Sequence, residues 1–201
     1  INPVFIDLKA KRIQYIYNYL RRHNKKIVMG AFGMDYYWAH VNSTTMPLRY
    51  SDFNIGKNLR TNKDAIIEKR DWLGTDKELL NKTIAKDCDG IIAGLYEYQV
   101  CYQPFFPDKT KFIPFPIITE GKKTQVERKG GVLKLFIGIS KNRSEYKGTD
   151  IMLRAAEAVK AKYPERLDLR IAEGIPFDQY VKLMDGSDAI LDQLYSYTPS
   201  M

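Results

Sequence analysis

The stretch from Val132 to Tyr163 constrains the fold most, because a short apolar run, a glycine and an amphipathic helical pattern follow one another there. Val132, Leu133, Leu135, Phe136 and Ile137 are nearly continuous, β-branched and aromatic-rich, as a strand covered on both faces of a parallel sheet requires. Gly138 is expected to end that strand. From Thr149 the period changes: Ile151, Ala155, Val159 and Tyr163 recur every four residues with Met152 and Ala156 beside them, which predicts one apolar helix face. Thr149 suits the N-cap, Asp150 suits the positive end of the dipole, and Pro164 closes the helix.

The alternation continues. Leu167 to Ala172 predicts a second strand and Glu173-Gly174 a turn. Pro176 opens a helix with Tyr180, Val181 and Met184 inward, and Asp185-Gly186-Ser187 ends it before a third strand over Ala189 to Leu194. This βαβαβ order implies a parallel sheet with right-handed crossovers. Between the first strand and its helix, Ser140 to Gly148 carries Lys141, Arg143 and Lys147 just before the helix N-terminus. In an open α/β sheet that position lies in the crevice outside a strand's carboxyl end, where backbone N–H groups, the helix dipole and cations favour a phosphate or diphosphate. The alternative is a solvated charged loop.

The first half of the chain reads in order. Leu8, Ile13, Ile16, Tyr17 and Leu20 make the apolar stripe of a helix whose wet face carries Lys9, Lys11, Arg12 and Arg21. Ile27 to Phe32 predicts a buried strand, and Gly33-Met34-Asp35 a turn. Tyr36 to His40 is expected to be an aromatic loop, either a platform for sugar rings or packing onto the core, with His40 a general base, a polar contact or a structural group. Ser43 to Lys57 shows no period and reads as a long loop. Helical patterns resume at Asp64 to Leu73 and Asp76 to Lys86, a short strand follows over Ile91 to Gly94, and a short helix over Leu95 to Tyr102. A last strand near Lys111 to Pro116 is broken by prolines, and polar Thr119 to Gly131 marks a domain boundary.

Together these elements carry a family likeness. Strand, Gly138, a basic loop, Lys147-Gly148-Thr149-Asp150, an apolar helix, Tyr163-Pro164 and a second strand resemble the donor domain of retaining GT-B glycosyltransferases of the large family four. The resemblance implies an α/β fold of two Rossmann-like halves with parallel sheets flanked by helices, truncated at both ends. It assigns residues 1–120 to the acceptor-side domain, 121–131 to a linker and 132–201 to the donor-side domain. In that family the lysine of the Lys-Gly pair, with a nearby arginine, holds the donor diphosphate. Lys147 matches, while Ile139 stands where the arginine usually follows the strand glycine, so Arg143 or Lys141 substitutes. Gly138, Ser140 and Gly148 complete the implied diphosphate site. Phe32-Gly33-Met34-Asp35 resembles the family's His-Gly-x-Asp turn without the histidine, which would set Gly33, Asp35, Tyr36 and His40 on the acceptor side of the cleft; as a plain turn residue Asp35 is a cap.

The implied activity is transfer of a sugar from a UDP- or GDP-sugar to a saccharide or lipid-linked acceptor, in cell-surface polysaccharide synthesis. Retention of configuration and no metal or cofactor are implied with it. The chain begins Ile1-Asn2-Pro3 and stops at Pro199-Ser200-Met201, so a fragment is expected, with the family's catalytic carboxylates lying past Met201 and the fragment itself inactive. A formal net charge of +8 attracts anions without choosing among them. Cations cluster at Lys9 to Arg12, Arg21 to Lys26 and Lys122 to Lys134. No RNP-like strand or zinc spacing accompanies them, so nucleic acid is the weaker rival and is not an expected partner. A non-catalytic nucleotide- or phosphate-binding α/β module is the stronger rival. Cys88 and Cys101, without metal spacing, read as free thiols of a reducing compartment, which points to the cytoplasm; a lipid-linked acceptor would add peripheral association at the inner membrane face.

Overall fold

The computed structural model describes residues 8–116, 131–140, 143–195 and 197. The chain is α/β, with parallel sheets flanked by helices, and divides into two compact units, Ile1–Ile117 and Ile118–Met201. The expected linker 121–131 lies outside the described residues except for its last position.

Unit 1 begins with α1 (Ala10–His23), β1 (Val28–Ala31) and α2 (Tyr36–Thr44), then the short strands β2 (Asn54–Ile55) and β3 (Asn58–Leu59). It continues with α3 (Lys63–Trp72), α4 (Asp76–Asp87), β4 (Gly90–Ala93), α5 (Tyr96–Tyr102) and β5 (Thr110–Phe112). The sheet order is β1-β4-β5, all parallel, with Met29 opposite Ile91 and Ile91 opposite Thr110. Met29, Ala31, Ile91 and Ala93 are buried, and Ile13 and Tyr17 of α1 join the same core. Polar bonds fix α1 on this core. The Tyr17 hydroxyl donates to Asp87 at 2.5 Å, and Asp89 accepts from Arg21 at 2.5 Å and from the Ile27 amide at 2.8 Å. The turn entering β1 is thereby tied to the turn entering β4.

Two segments differ from the sequence expectation. Tyr36 to His40 is the start of α2, not a loop. Aromatic residues are mediocre helix formers, yet six of the nine residues of α2 are buried and Asp35 caps its first turn, so burial and capping outweigh propensity. The stretch 43–57 enters a hairpin, where Gly56 at φ 61° takes the left-handed turn between β2 and β3. Buried Asn54 donates its amide to the carbonyls of Leu48 and Gly56, each at 2.8 Å, so the segment is held by side-chain bonds that no hydrophobic period reveals.

Unit 2 contains β6 (Leu133–Ile139), α6 (Ser144–Lys147), α7 (Thr149–Lys162), β7 (Leu167–Glu173), α8 (Phe177–Met184) and β8 (Ala189–Leu191). The sheet order is β7-β6-β8, parallel throughout, so β6 is central and the winding reverses across it. With right-handed crossovers α7 and α8 cover opposite faces of the sheet. Phe136 and Ile137 are fully buried, and Phe136 meets Tyr180 of α8 edge to face at 5.0 Å.

Several boundaries are corrected. β6 does not stop at Gly138: it runs to Ile139, with Gly138 opposite Ala172. A Cβ at Gly138 would lie 2.5 Å from the Tyr180 hydroxyl, so glycine is there for the approach of α8. β8 ends at Leu191, and the Leu194 amide bonds instead to the Lys147 carbonyl at 2.7 Å. The cap of α7 is Gly148, Thr149 being its first residue. The inward face of α7 also differs. Ile151, Val159 and Tyr163 are exposed, while Thr149 and Ala156 are buried and Met152 and Leu153 half-buried. A strict four-residue repeat drifts about 40° per step around a helix, so only a mixed three-and-four spacing stays on the sheet.

Among the described residues no helix is long and apolar enough to cross a membrane. Phe136→Ala is expected to destabilise unit 2 by about 3–4 kcal/mol. Hydrogen exchange at the β6 amides checks this and should accelerate by roughly two to three orders of magnitude.

Candidate functional site

The site builds up at the carboxyl end of β6. Where strand order reverses in an open α/β sheet, adjacent connections leave toward opposite faces and open a crevice. Ser140 follows β6, is exposed, and accepts the Arg143 amide at 3.0 Å. That bond starts the single turn of α6, in which the Lys147 amide donates to the Arg143 carbonyl at 2.9 Å. Arg143 and Lys147 are four residues apart across this turn, the spacing that puts two side chains on one side. The Arg143 guanidinium lies 5.8 Å from the Tyr146 ring centroid.

Gly148 then breaks the path. At φ 70° it is left-handed, its amide closes α6 on the Ser144 carbonyl at 2.8 Å, and α7 starts at the next residue. A side chain here meets two obstacles: the backbone angle, and Leu194 Cβ at 2.9 Å with the Tyr195 ring at 3.1 Å. The Ser144 and Thr149 hydroxyls bond across the break at 2.7 Å. Lys147 is therefore set immediately before the break, beside the segment that follows β8, and its ammonium lies 3.6 Å from Asp192. Both side chains are partly exposed, 23% and 29%. Tyr180 stands at the same end of β6, and its hydroxyl pKa is raised by burial and by the Asp192 charge.

Lys147 is a partly open cation just before the positive end of a 14-residue helix, with Arg143 one turn earlier in the chain and the Asp192 carboxylate beside it, which an incoming anion must displace or tolerate. Gly138, Ser140, Arg143, Lys147 and Gly148 come together here; Lys141 lies outside the described residues. The sequence marks Tyr180 only as an inward residue of its helix and does not mark Asp192 as a site residue. Asp192 sat inside the expected third strand, and only the early end of β8 places it at the strand's carboxyl end, where ligand groups are found.

The residues proposed for the acceptor side fall elsewhere, in unit 1. Asp35 is 1% exposed. It caps α2 by accepting the Trp38 amide at 2.9 Å and accepts the Tyr102 hydroxyl at 2.6 Å. Asn81 completes this buried network, donating to the Tyr102 oxygen at 3.1 Å and accepting the Tyr36 amide at 3.0 Å. The network joins α2, α4 and α5 in the interior. Burial raises the Asp35 pKa from its ordinary 3.8 to about 6, against the lowering effect of its hydrogen bonds. Tyr36 is buried, with its ring against the Lys82 ammonium at 4.5 Å and stacked with half-buried His40 at 5.2 Å. Gly33 has open space where a side chain would stand. Asp35 thus occupies the place of a cap, and the aromatic run packs inward; Tyr36 and His40 form a small stack with Lys82, which sequence spacing does not predict.

Among the described residues no group of three or more His, Cys, Asp or Glu has a metal-holding arrangement. Comparison with family models, curated proteins and solved structures finds no match to this chain.

Two outcomes are expected. Because the native carboxyl of Asp35 binds its proton more tightly than the unfolded one, its contribution to stability is intact below pH 4 and falls as pH rises through about 6. Asp35→Asn keeps the capping oxygen and should remove this slope, about 3 kcal/mol at most, so the wild-type-minus-variant stability from urea melts at pH 4 and pH 7 reads it. Gly148→Ala should cost about 1–3 kcal/mol through strain, seen in thermal melts, and loosen the contact between residues 147 and 194, seen in hydrogen exchange of the Leu194 amide.

Proposed function

We propose that this chain is part of a retaining GT-B glycosyltransferase, with unit 2 carrying the nucleotide-sugar donor and unit 1 contributing the acceptor side. The observation that supports this reading is Lys147, held before left-handed Gly148 at the carboxyl end of the central strand, beside Arg143 and in reach of solvent. Breaking the bond between a sugar and a diphosphate leaves negative charge on the departing oxygen. Fixed cations lower that barrier because their charge is in place before the charge develops. Lys147 would take the diphosphate in exchange for Asp192, and Arg143 would share the second phosphate. The donor is a UDP- or GDP-sugar and the acceptor a saccharide or lipid-linked saccharide.

A charge-assisted contact of this kind contributes about 1.5–3 kcal/mol. Lys147→Ala is therefore expected to weaken UDP or GDP binding by roughly ten- to a hundredfold in calorimetry. Unchanged affinity for both nucleotides removes Lys147 from the site and the reading with it. Because the whole cation site lies within unit 2, it equally suits a non-catalytic nucleoside-diphosphate module. Release of labelled sugar from the donor by the intact parent protein separates the two, since the fragment itself is expected to be inactive.

A further inference from the structure

From Leu8 to Met34 the chain carries Lys9, Lys11, Arg12, Arg21, Arg22, Lys25 and Lys26 and no carboxylate. Such a run usually solvates one helix face and needs no partner. Helix α1 departs from that in what it leaves outside. Its inward face buries Ile13 and Tyr17, yet Tyr15 is 72% exposed and Tyr19 is 56% exposed. At about 100° per residue, Arg12, Tyr15, Tyr19 and Arg22 fall within a stripe of roughly 80°, with Lys11 at its margin. Arg12 and Arg22 are about 15 Å apart along the axis, and both phenol rings lie between them. Arg21 is excluded, since it is spent on Asp87 and Asp89.

We infer that the outer face of α1 is a docking surface for an anionic lipid bilayer, with Tyr15 and Tyr19 at headgroup depth and Arg12, Arg22 and Lys11 on lipid phosphates. Charge complementarity carries the assignment: several cations meet no acidic group on their own element. The two phenols decide the kind of anion. A tyrosine has an apolar ring and a polar tip, and the boundary between acyl chains and headgroups satisfies both ends at once. The face is a straight stripe on a convex helix, which suits a broad surface; single-stranded nucleic acid is held in a basic groove that tracks its backbone. This inference gives a surface and a lipid chemistry to the inner-membrane association expected from sequence, and it does not rest on the glycosyltransferase reading.

The test is flotation of the whole chain with vesicles of phosphatidylcholine alone and with about one-third phosphatidylglycerol. Binding is expected only to the anionic vesicles and should fade as salt is raised. Arg12→Gln and Arg22→Gln should each weaken partitioning roughly fivefold. Tyr15→Ala with Tyr19→Ala, which keeps the net charge, should weaken it roughly tenfold or more; circular dichroism confirms that these exposed substitutions leave the helix intact. No partitioning of the wild type overturns the inference. Equal binding by the double tyrosine variant also overturns it, since net charge alone would then suffice. A single-stranded oligonucleotide whose binding depends on the same two tyrosines, with no vesicle binding, assigns the face to nucleic acid instead.

Discussion

Gly148 governs the part of the molecule on which the functional reading rests. A residue at φ 70°, packed against Leu194 and Tyr195, cannot carry a Cβ without strain. The kink it makes ends one helical turn and starts another in different directions. Lys147 thereby faces the end of the sheet instead of lying along a continuous helix surface. The carbonyl of Lys147 is tied to the Leu194 amide, so the backbone under the ammonium is fixed from both sides. The backbone beneath the cation therefore needs no ordering when an anion arrives, which is the part of preorganisation this contact supplies.

Asp35 and Asp192 stand in opposite environments. In unit 1 Asp35 is wholly interior, and its charge is met by an amide and a phenol, so it stabilises helix ends and offers nothing to a solute. In unit 2 Asp192 is part-exposed and holds a lysine at 3.6 Å, a pairing that water screens and that another anion can contest. Buried polar networks specify a core; half-wet ion pairs leave room for exchange. That contrast explains why the cation site, and not the Asp35 turn, carries the proposed chemistry.

Much of the fold was legible in the sequence. The change from a nearly continuous apolar run in β6 to a helical period in α7, and its repetition through β7, α8 and β8, reads directly as a parallel sheet. Strand ends were harder, because Gly138 and Asp192 mean different things depending on whether a neighbouring helix approaches. Gly138 admits Tyr180, a long-range contact that no local pattern encodes. Helix α2 was misread for a related reason: Tyr36, Tyr37 and Trp38 have little helix propensity, and only their burial against α4 and α5 makes the helix. At the site, the lysine-glycine pair was visible as a motif, whereas its carboxylate partner became visible only through tertiary proximity. The outward side of α1 was legible as basic, but which tyrosines pointed away from the core was settled by packing.

The chain has two tryptophans, Trp38 and Trp72, and both are interior residues of unit 1. The indole of Trp38 donates to Asp52 at 3.0 Å, and Lys77 lies 5.1 Å from the Trp72 ring. Light absorbed at the red edge of the near-ultraviolet band is therefore taken up by one unit alone. Unit 2 contains phenols but no indole, so tryptophan emission reports directly on unit 1, and unit 2 is followed through its tyrosines or the peptide bond.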